Sequence, residues 1–448
     1  MKRPNVLWLM TDEQRCDSLG CYGSAWAHTP ALDTLARQGA VFRHAYTPAP
    51  VCAPARASLV TGQYPHETGV WYNVAREQYR ELDHLTARFH AAGYRSATMG
   101  KRHYCASNDA FQTEERYEVG EAVSYFGYAE KFDEADYDVV KYPAEPYPWI
   151  FGGRYPVDKA TTQEARVVHG AMTWLEQHER SNPFLLRLSF NAPHTPVAPP
   201  PPFDTMINAG AIDLPDAADP VPPNQPAWLD RDLRSTSDAG RLTAEQIAKM
   251  RRYYYGEVAF VDSQIEVLLD WMREMGLLEN TIIAFVSDHG THLGDYGFVQ
   301  KQTFYEPVAT VPYLFWYPEK IAEGSMLSTP VETRSLLPTL AALADIELPE
   351  NVAEPNYAET LRAGKEPEAR PVFSEFTLGS FDMRHEDELV MVRDGDWKLS
   401  VCYEPETGEG ALYNLDADPY ERNNLFGNPE HAGIENRLRG LIDDHLTV

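Results

Sequence analysis

Positive charge is scarce in this chain. Thirty-nine Lys and Arg stand against 67 Asp and Glu over 448 residues, a formal net charge of −28. A surface of that sign repels phosphate backbones and anionic bilayers, which argues against nucleic acid or a membrane as partner. Any anion site must then be a local basic pocket inside a repelling field. Long apolar runs are missing too. Only a handful of apolar residues separate Arg3 from Asp12, too few for the core of a signal peptide. No other stretch approaches the length needed to cross a bilayer. Cysteine is sparse and odd in number: Cys16, Cys21, Cys52, Cys105 and Cys402 do not make a disulfide framework. Cys16 and Cys21 have no second pair with which to build a metal or redox site. Together these absences predict a soluble, cytoplasmic protein, and they are compatible with a homo-oligomer.

What is present is alternation. Asn5 to Thr11 reads as a buried parallel strand ending in Asp12-Glu13-Gln14, at the carboxyl end where open α/β sheets place ligands. Thr29-Pro30 opens a helix that ends near Gly39, with Thr29 as its cap. Glu81 to Ala92 is expected as a helix and Tyr94 to Met99 as a strand. A further helix is predicted over Asp158 to Arg180 and a strand over Phe184 to Phe190, ending in Asn191-Ala192-Pro193-His194-Thr195-Pro196. A Thr243/Gln246 capping box starts a helix to about Met275. Strands are expected next at Thr281 to Val286 and Val311 to Trp316, and a helix at Arg334 to Ala344. Residues 104 to 156 show no periodicity and read as loops over the site mouth. The Pro-rich stretch from Pro199 to Pro226 reads as irregular. This pattern predicts an α/β fold with a mostly parallel central sheet and helices on both faces. After about residue 365 short alternating segments (Pro371 to Glu375, Glu388 to Arg393, Trp397 to Tyr403) predict a small antiparallel sheet, with a helix after it from about Glu430. The expected division is a catalytic domain over 1–364 and an α+β subdomain over 365–448.

The chemistry concentrates in Val51 to Tyr64, VCAPARASLVTGQY. If Pro54 lies in the first turn of a helix, Cys52 sits at its positive end, where an anion is favoured, and Arg56 adds a permanently charged fork. The longer string C-x-P-x-R-x-S-L-x-T-G resembles the signature of the type I sulfatases. A second string, Gly93-Tyr94, Thr98, Gly100-Lys101 and His103, matches that family's G-Y-x-x-x-T-x-G-K-x-H pattern. The resemblance spans nearly the whole chain and implies an alkaline-phosphatase-like α/β fold. It also implies that Cys52 is converted after translation to formylglycine by a formylglycine-generating enzyme. The hydrated aldehyde would attack sulfur with one hydroxyl, and deprotonation of the other would expel sulfate.

Asp12 and Glu13 end one strand, and Asp288 and His289 come just after another. Oxygen donors from two strand ends suit a hard divalent cation, and an imidazole admits a softer one. The resemblance implies that Asp12, Asp288, His289 and residue 52 hold one metal ion, Ca²⁺ by default with Mn²⁺ as the alternative. Glu13, which stands where many relatives have a second Asp and is one methylene longer, is counted with them as a metal residue. It also implies catalytic or sulfate-binding roles for Arg56, Lys101, His103, His194 and Lys301. Arg56, Lys101 and Lys301 would cradle the sulfuryl oxygens, His194 or Lys301 would protonate the leaving oxygen, and His103 would serve as base. The expected substrate is a small-molecule aryl or alkyl sulfate ester. The alternative is a phosphonate monoester or phosphodiester, or both, because the sister branch shares the formylglycine and the Asp-His pair but carries uncharged residues in place of Lys101 and His103. Trp71, Tyr72 and Tyr104 do not make a persuasive quaternary-ammonium box and read as core or rim.

Overall fold

The computed structural model describes residues 3–73, 84, 86–103, 138–143, 149–154, 158–208, 212, 224–229, 233–377, 388–404 and 408–447. Its centre is a seven-stranded sheet in the order Ser325–Leu327, Ala40–Phe42, Tyr313–Trp316, Thr281–Ser287, Asn5–Thr11, Phe184–Ser189, Arg95–Gly100. Tyr313–Trp316 runs antiparallel to both neighbours, and the other pairings are parallel. Side chains on the strand Asn5–Thr11 alternate between two cores. Leu7 and Leu9 join the helices Pro30–Gln38, Gln163–Gln177 and Ala244–Glu274. Val6, Trp8 and Met10 face Leu59 and Val60 of the helix Cys52–Thr61 and the Leu336–Leu343 helix. That period-two alternation is what a parallel strand covered on both faces requires. Among the described residues no helix is long and apolar enough to cross a membrane.

Local chemistry moved several boundaries. Pro312 cannot donate to a ladder, so the strand expected over Val311 to Trp316 is two. Thr310–Val311 pairs with Ala45–Tyr46, and Tyr313–Trp316 enters the main sheet. The helix expected over Arg334 to Ala344 begins as a 3₁₀ turn, and the one from Asp158 starts at Gln163 behind another. Thr29 occupies the N-cap but does not cap. Its hydroxyl accepts from Gly20 N and donates to Asp33, while Asp262 of the long helix takes the amides of Ala31 and Leu32 at 3.0 and 2.9 Å. The Thr243/Gln246 capping box is complete. Two stretches expected to be irregular contain regular pieces. Val140–Tyr142 pairs with Trp149–Gly152, with Tyr142 and Phe151 packed ring to ring at 4.9 Å. Phe203–Met206 forms a helical turn because Phe203 buries against Ala259 and Phe260. Tyr104, Cys105, most of the 104–156 loop and the first residues of the helix expected from Glu81 lie outside the described residues.

The C-terminal region is a four-stranded antiparallel sheet, Val372–Thr377, Glu388–Asp394, Trp397–Glu404, Gly410–Asn414, with the helix Ala432–Leu446 on one face. Its other face packs Val372, Phe376, Leu389 and Met391 against Tyr46, Phe304 and Tyr305. The buried Glu375 carboxylate ties three segments together. It accepts from His66 N at 3.0 Å, His66 Nδ1 at 2.9 Å and His445 Nε2. Burial pushes Glu375 up, but the hydrogen bonds and charges of His445 and His66 outweigh it and hold the carboxyl low; burial lowers His66, and Glu375 more than reverses that. Those directions set the pH dependence. The clamp is strongest between the two titrations, weakens as pH falls through the lowered Glu375 value, and weakens again as pH rises through the raised His66 value. Glu375→Ala leaves these donors unpaired and is expected to cost about 1–3 kcal/mol. Urea unfolding measures the loss, and hydrogen exchange is expected to locate it in the Ala432–Leu446 helix.

Candidate active site

Four parallel strands end side by side, and the residues just past each end build the pocket. The register Thr11↔Ser287 puts Asp12 next to Asp288. The pairing Gly100↔Ser189 brings Lys101 and the His194 turn to the same edge. Above them Cys52 is the first residue of the helix Cys52–Thr61, with Pro54 inside its first turn. Asn73 Oδ1 accepts from the first-turn amide of Ala53 at 2.9 Å.

Cys52 is 1% exposed. Its Sγ, standing where the oxygen of a formylglycine would be, lies 3.1 Å from Lys301 Nζ, 3.1 Å from His289 Nε2 and 3.8 Å from Asp12 Oδ1. Burial alone pushes this thiol up. Lys301, Lys101 and His289, with a hydrogen bond from His103, outweigh burial and hold it well below the ordinary range. Arg56, fully buried, does not open onto the pocket. Its fork spans Asp288 Oδ2 through Nε and Asp12 Oδ2 through a terminal nitrogen, both at 2.6 Å. The other terminal nitrogen reaches Ser189 Oγ at 2.9 Å and Lys101 O at 3.2 Å. Lys101 Nζ bonds Asp12 Oδ2 at 2.7 Å. Burial and Cys52 push Asp12 up, but Lys101, Arg56 and His194 hold it far below the carboxylate range. Asp288 has Arg56 but no lysine, and burial pushes its carboxyl up.

Asp12, Cys52, Asp288 and His289 offer ligand atoms that all lie within 4.8 Å of one another, every residue buried. The donor set fits a divalent cation: two carboxylates, one sulfur or oxygen, and one imidazole. His289 Nδ1 donates to Gly290 O at 2.8 Å, which turns Nε2 toward Cys52 Sγ as the nitrogen that would serve a metal. Glu13 falls in a second, overlapping group with Asp12 and His194, whose ligand atoms also lie within 4.8 Å of one another. Its Oε1 accepts from Thr291 Oγ1 at 2.8 Å, and Oε2, with no hydrogen bond, sits 3.5 Å from both His194 Nε2 and Lys301 Nζ. The extra methylene and the backbone account for this. Glu13 has φ 64°, and its N–H is bonded to Asp288 Oδ1.

Sequence reasoning missed Asn73, Ser189, Thr291, Gln300 and Gln302. Asn73, Ser189 and Thr291 carry no local signal. The glutamines flank Lys301, which was their one available sign. Glu13, His103, Gln300 and Gln302 all have positive φ, a conformation costing roughly 1–2 kcal/mol per non-glycine residue.

The fold and the pocket define a class, the ester hydrolases with an alkaline-phosphatase-like sheet. The sulfatase family model matches residues 4–346, and the C-terminal model of N-sulphoglucosamine sulphohydrolase matches 294–446. The chain belongs to the sulfatase family and is a sulfuric ester hydrolase. It is 31% identical to a choline-sulfatase of Rhizobium meliloti over 451 residues, covering 95% of this chain and 83% of that one. It is 26% identical to an arylsulfatase of Clostridium perfringens over 472 residues, covering 99% and 94%. The phosphonate monoester hydrolase of Agrobacterium radiobacter has a similar fold, with TM-score 0.83 at 23% identity, covering 99% and 96%. Formylglycine and a metal are expected of the family.

Removing the Arg56 fork leaves two buried carboxylates facing each other. Arg56→Ala is expected to destabilise the fold by about 3–5 kcal/mol. Arg56→Lys, a point charge without the fork, should recover only part of that in urea unfolding. Full recovery by lysine would show that charge alone, without the two-pronged geometry, holds Asp12 and Asp288.

Proposed function

We propose that this enzyme hydrolyses small aryl or alkyl sulfate monoesters through residue 52 in its formylglycine form, with one divalent cation held by Asp12, Asp288, His289 and residue 52. The observation that carries the reading is the convergence of Lys301, His289 and Asp12 on one buried cysteine at 3.1, 3.1 and 3.8 Å. A side chain 1% exposed is beyond the reach of a modifying enzyme in the folded chain, so the maturation partner acts before the fold closes.

Formylglycine supplies a nucleophilic hydroxyl and a second one whose deprotonation releases sulfate. The cation, when bound, supplies Lewis-acid charge beside them. The rest belongs to ordinary side chains. Lys101 and Lys301 hold fixed positive charge at the pocket wall, and that charge counts for more as negative charge builds on the departing oxygen. Lys301 Nζ lies 3.2 Å from His194 Nε2, while His194 Nδ1 is engaged with Thr195 O at 2.6 Å. A proton can pass along that pair to the leaving oxygen. His103, close enough to Cys52 to help hold its thiol low, is the base for residue 52. Arg56 organises carboxylates and holds no substrate oxygen directly.

Ca²⁺ is the proposed ion from its two carboxylate donors, and His289 keeps Mn²⁺ open. Chelation should abolish turnover and calcium should restore it; recovery with manganese alone would overturn the calcium assignment. The Asp288-His289 pair also favours a second reading, hydrolysis of phosphonate monoesters or phosphodiesters. Lys101 and His103, suited to a sulfuryl group, favour the first.

Cys52→Ala should lose turnover almost completely. Lys101→Ala should lose about 2.7–4 kcal/mol of transition-state stabilisation, by analogy with one oxyanion-hole donor, which is roughly a hundredfold or more in kcat. The test between readings is kcat/KM on matched phenyl sulfate and phenylphosphonate monoester. A clear preference for the phosphonate would reject the sulfate-ester reading.

A further inference from the structure

Lys301 lies between two residues that share an unusual backbone. Gln300 and Gln302 both have φ 73°, and each side chain is tied to a different neighbour. Gln300 Nε2 donates to Thr195 Oγ1 at 2.9 Å, on the turn that carries His194. Gln302 Nε2 donates to Tyr72 OH at 2.8 Å, and its backbone N–H reaches Pro50 O at 3.3 Å, two residues before Cys52. Lys301 Nζ itself spans His194 Nε2 at 3.2 Å and Cys52 Sγ at 3.1 Å. One glutamine thus holds the lysine loop to the segment bearing one of its partners. The other holds it to the segment leading to the second.

We propose that Gln300 and Gln302 are positioning residues that register Lys301 between His194 and residue 52, so that its ammonium meets the leaving oxygen. The inference rests on the reading of Lys301 and His194 as the proton-donating pair. A lysine side chain has many rotamers and loses considerable freedom when fixed. Anchoring the backbone on both sides reduces how far the ammonium can wander. Two left-handed non-glycine residues around one lysine persist only where the surroundings over-determine them. Here the two side-chain hydrogen bonds do so.

An acid that is out of place harms a substrate with a poor leaving group and spares one whose leaving group needs no proton. This gives a readout that a merely structural role would not move. Gln300→Gly and Gln302→Gly keep the left-handed backbone accessible and remove the side-chain ties, while the main-chain bond to Pro50 stays. Tyr72→Phe removes a single oxygen from the second tie. In the matured, metal-loaded enzyme, kcat/KM is measured on nitrophenyl sulfate and on unsubstituted phenyl sulfate, beside Lys301→Ala. The ratio of the two is expected to rise about tenfold in the glycine variants, a fraction of what a positioned acid contributes. Tyr72→Phe should shift it in the same direction, and Gln302→Gly with Tyr72→Phe should add little to either alone. A raised ratio in Lys301→Ala with the wild-type ratio in all three tether variants would overturn the positioning role and leave the acid intact. An equal loss on both substrates in the tether variants would also overturn it. An unchanged ratio in Lys301→Ala would remove the acid reading and this inference with it.

Discussion

The guanidinium of Arg56 touches what lies at the ends of four adjacent parallel strands: Asp12, Asp288, Ser189 and the carbonyl of Lys101. Without it the sheet would have a problem of its own making. Parallel pairing in the register Thr11↔Ser287 forces two carboxylates together at zero exposure. At that separation in a low-dielectric interior, like charges repel by several kcal/mol. A planar fork satisfies one oxygen of each and still has a nitrogen left for Ser189. Lysine, with one ammonium, cannot make those bonds in fixed directions. The arginine of the cysteine motif is therefore a structural condition for the acidic pair, which in turn is the condition for a metal.

Much of this was legible in the sequence, for physical reasons. Asn5 to Thr11 and Thr281 to Val286 are unbroken apolar runs that stop at charged residues, and buried parallel strands read that way. Once both are parallel neighbours, Asp12 and Asp288 must share an edge. The antiparallel sheet after residue 370 was legible because its strands alternate. What failed to show in the sequence depends on partners distant along the chain. Asp262 caps a helix more than two hundred residues earlier, and no local pattern marks it. Pro312 marks a break, but not that the piece before it pairs with Ala45–Tyr46. The Arg56 fork was expected to face substrate because motif spacing gives proximity and not direction. Direction comes from the strand register. Glu13 was expected beside the metal on the same reasoning, and its carboxylate groups with Asp12 and His194 at the edge of the Asp12, Cys52, Asp288 and His289 set.

Strain gathers around the same pocket. Glu13, His103, Gln300 and Gln302 each adopt a conformation that L-residues avoid, and each is or adjoins a residue with a proposed role. Glu13 is held by Asp288 Oδ1 on its N–H and by Tyr254 OH on its carbonyl. The long helix Ala244–Glu274 supplies that tyrosine and also Asp262, so one element supports both the strained turn after the first strand and the start of the next helix. Rigid packing beneath the sheet is what lets the loops above it hold unfavourable dihedrals.

Charge accounting then explains how so acidic a chain can bind an anion. Three carboxylates, Asp12, Glu13 and Asp288, meet three cations, Arg56 buried beneath the pocket and Lys101 and Lys301 at its wall. The protein's own fixed charges there nearly cancel, so the site neither attracts nor repels strongly on its account. A dication at Asp12, Asp288 and His289 would tip that balance to positive, in a place where burial keeps screening weak. The surplus would sit beside residue 52, with Lys301 aimed from the opposite side by its two glutamines. A sulfate monoester carries one negative charge and would bring the pocket back toward neutrality without overshooting. The remaining negative charge of the protein lies outside and discourages polyanions from approaching. On the proposed reading, preference for a small monoanion would come from where the charges are buried and not from the net charge of the chain.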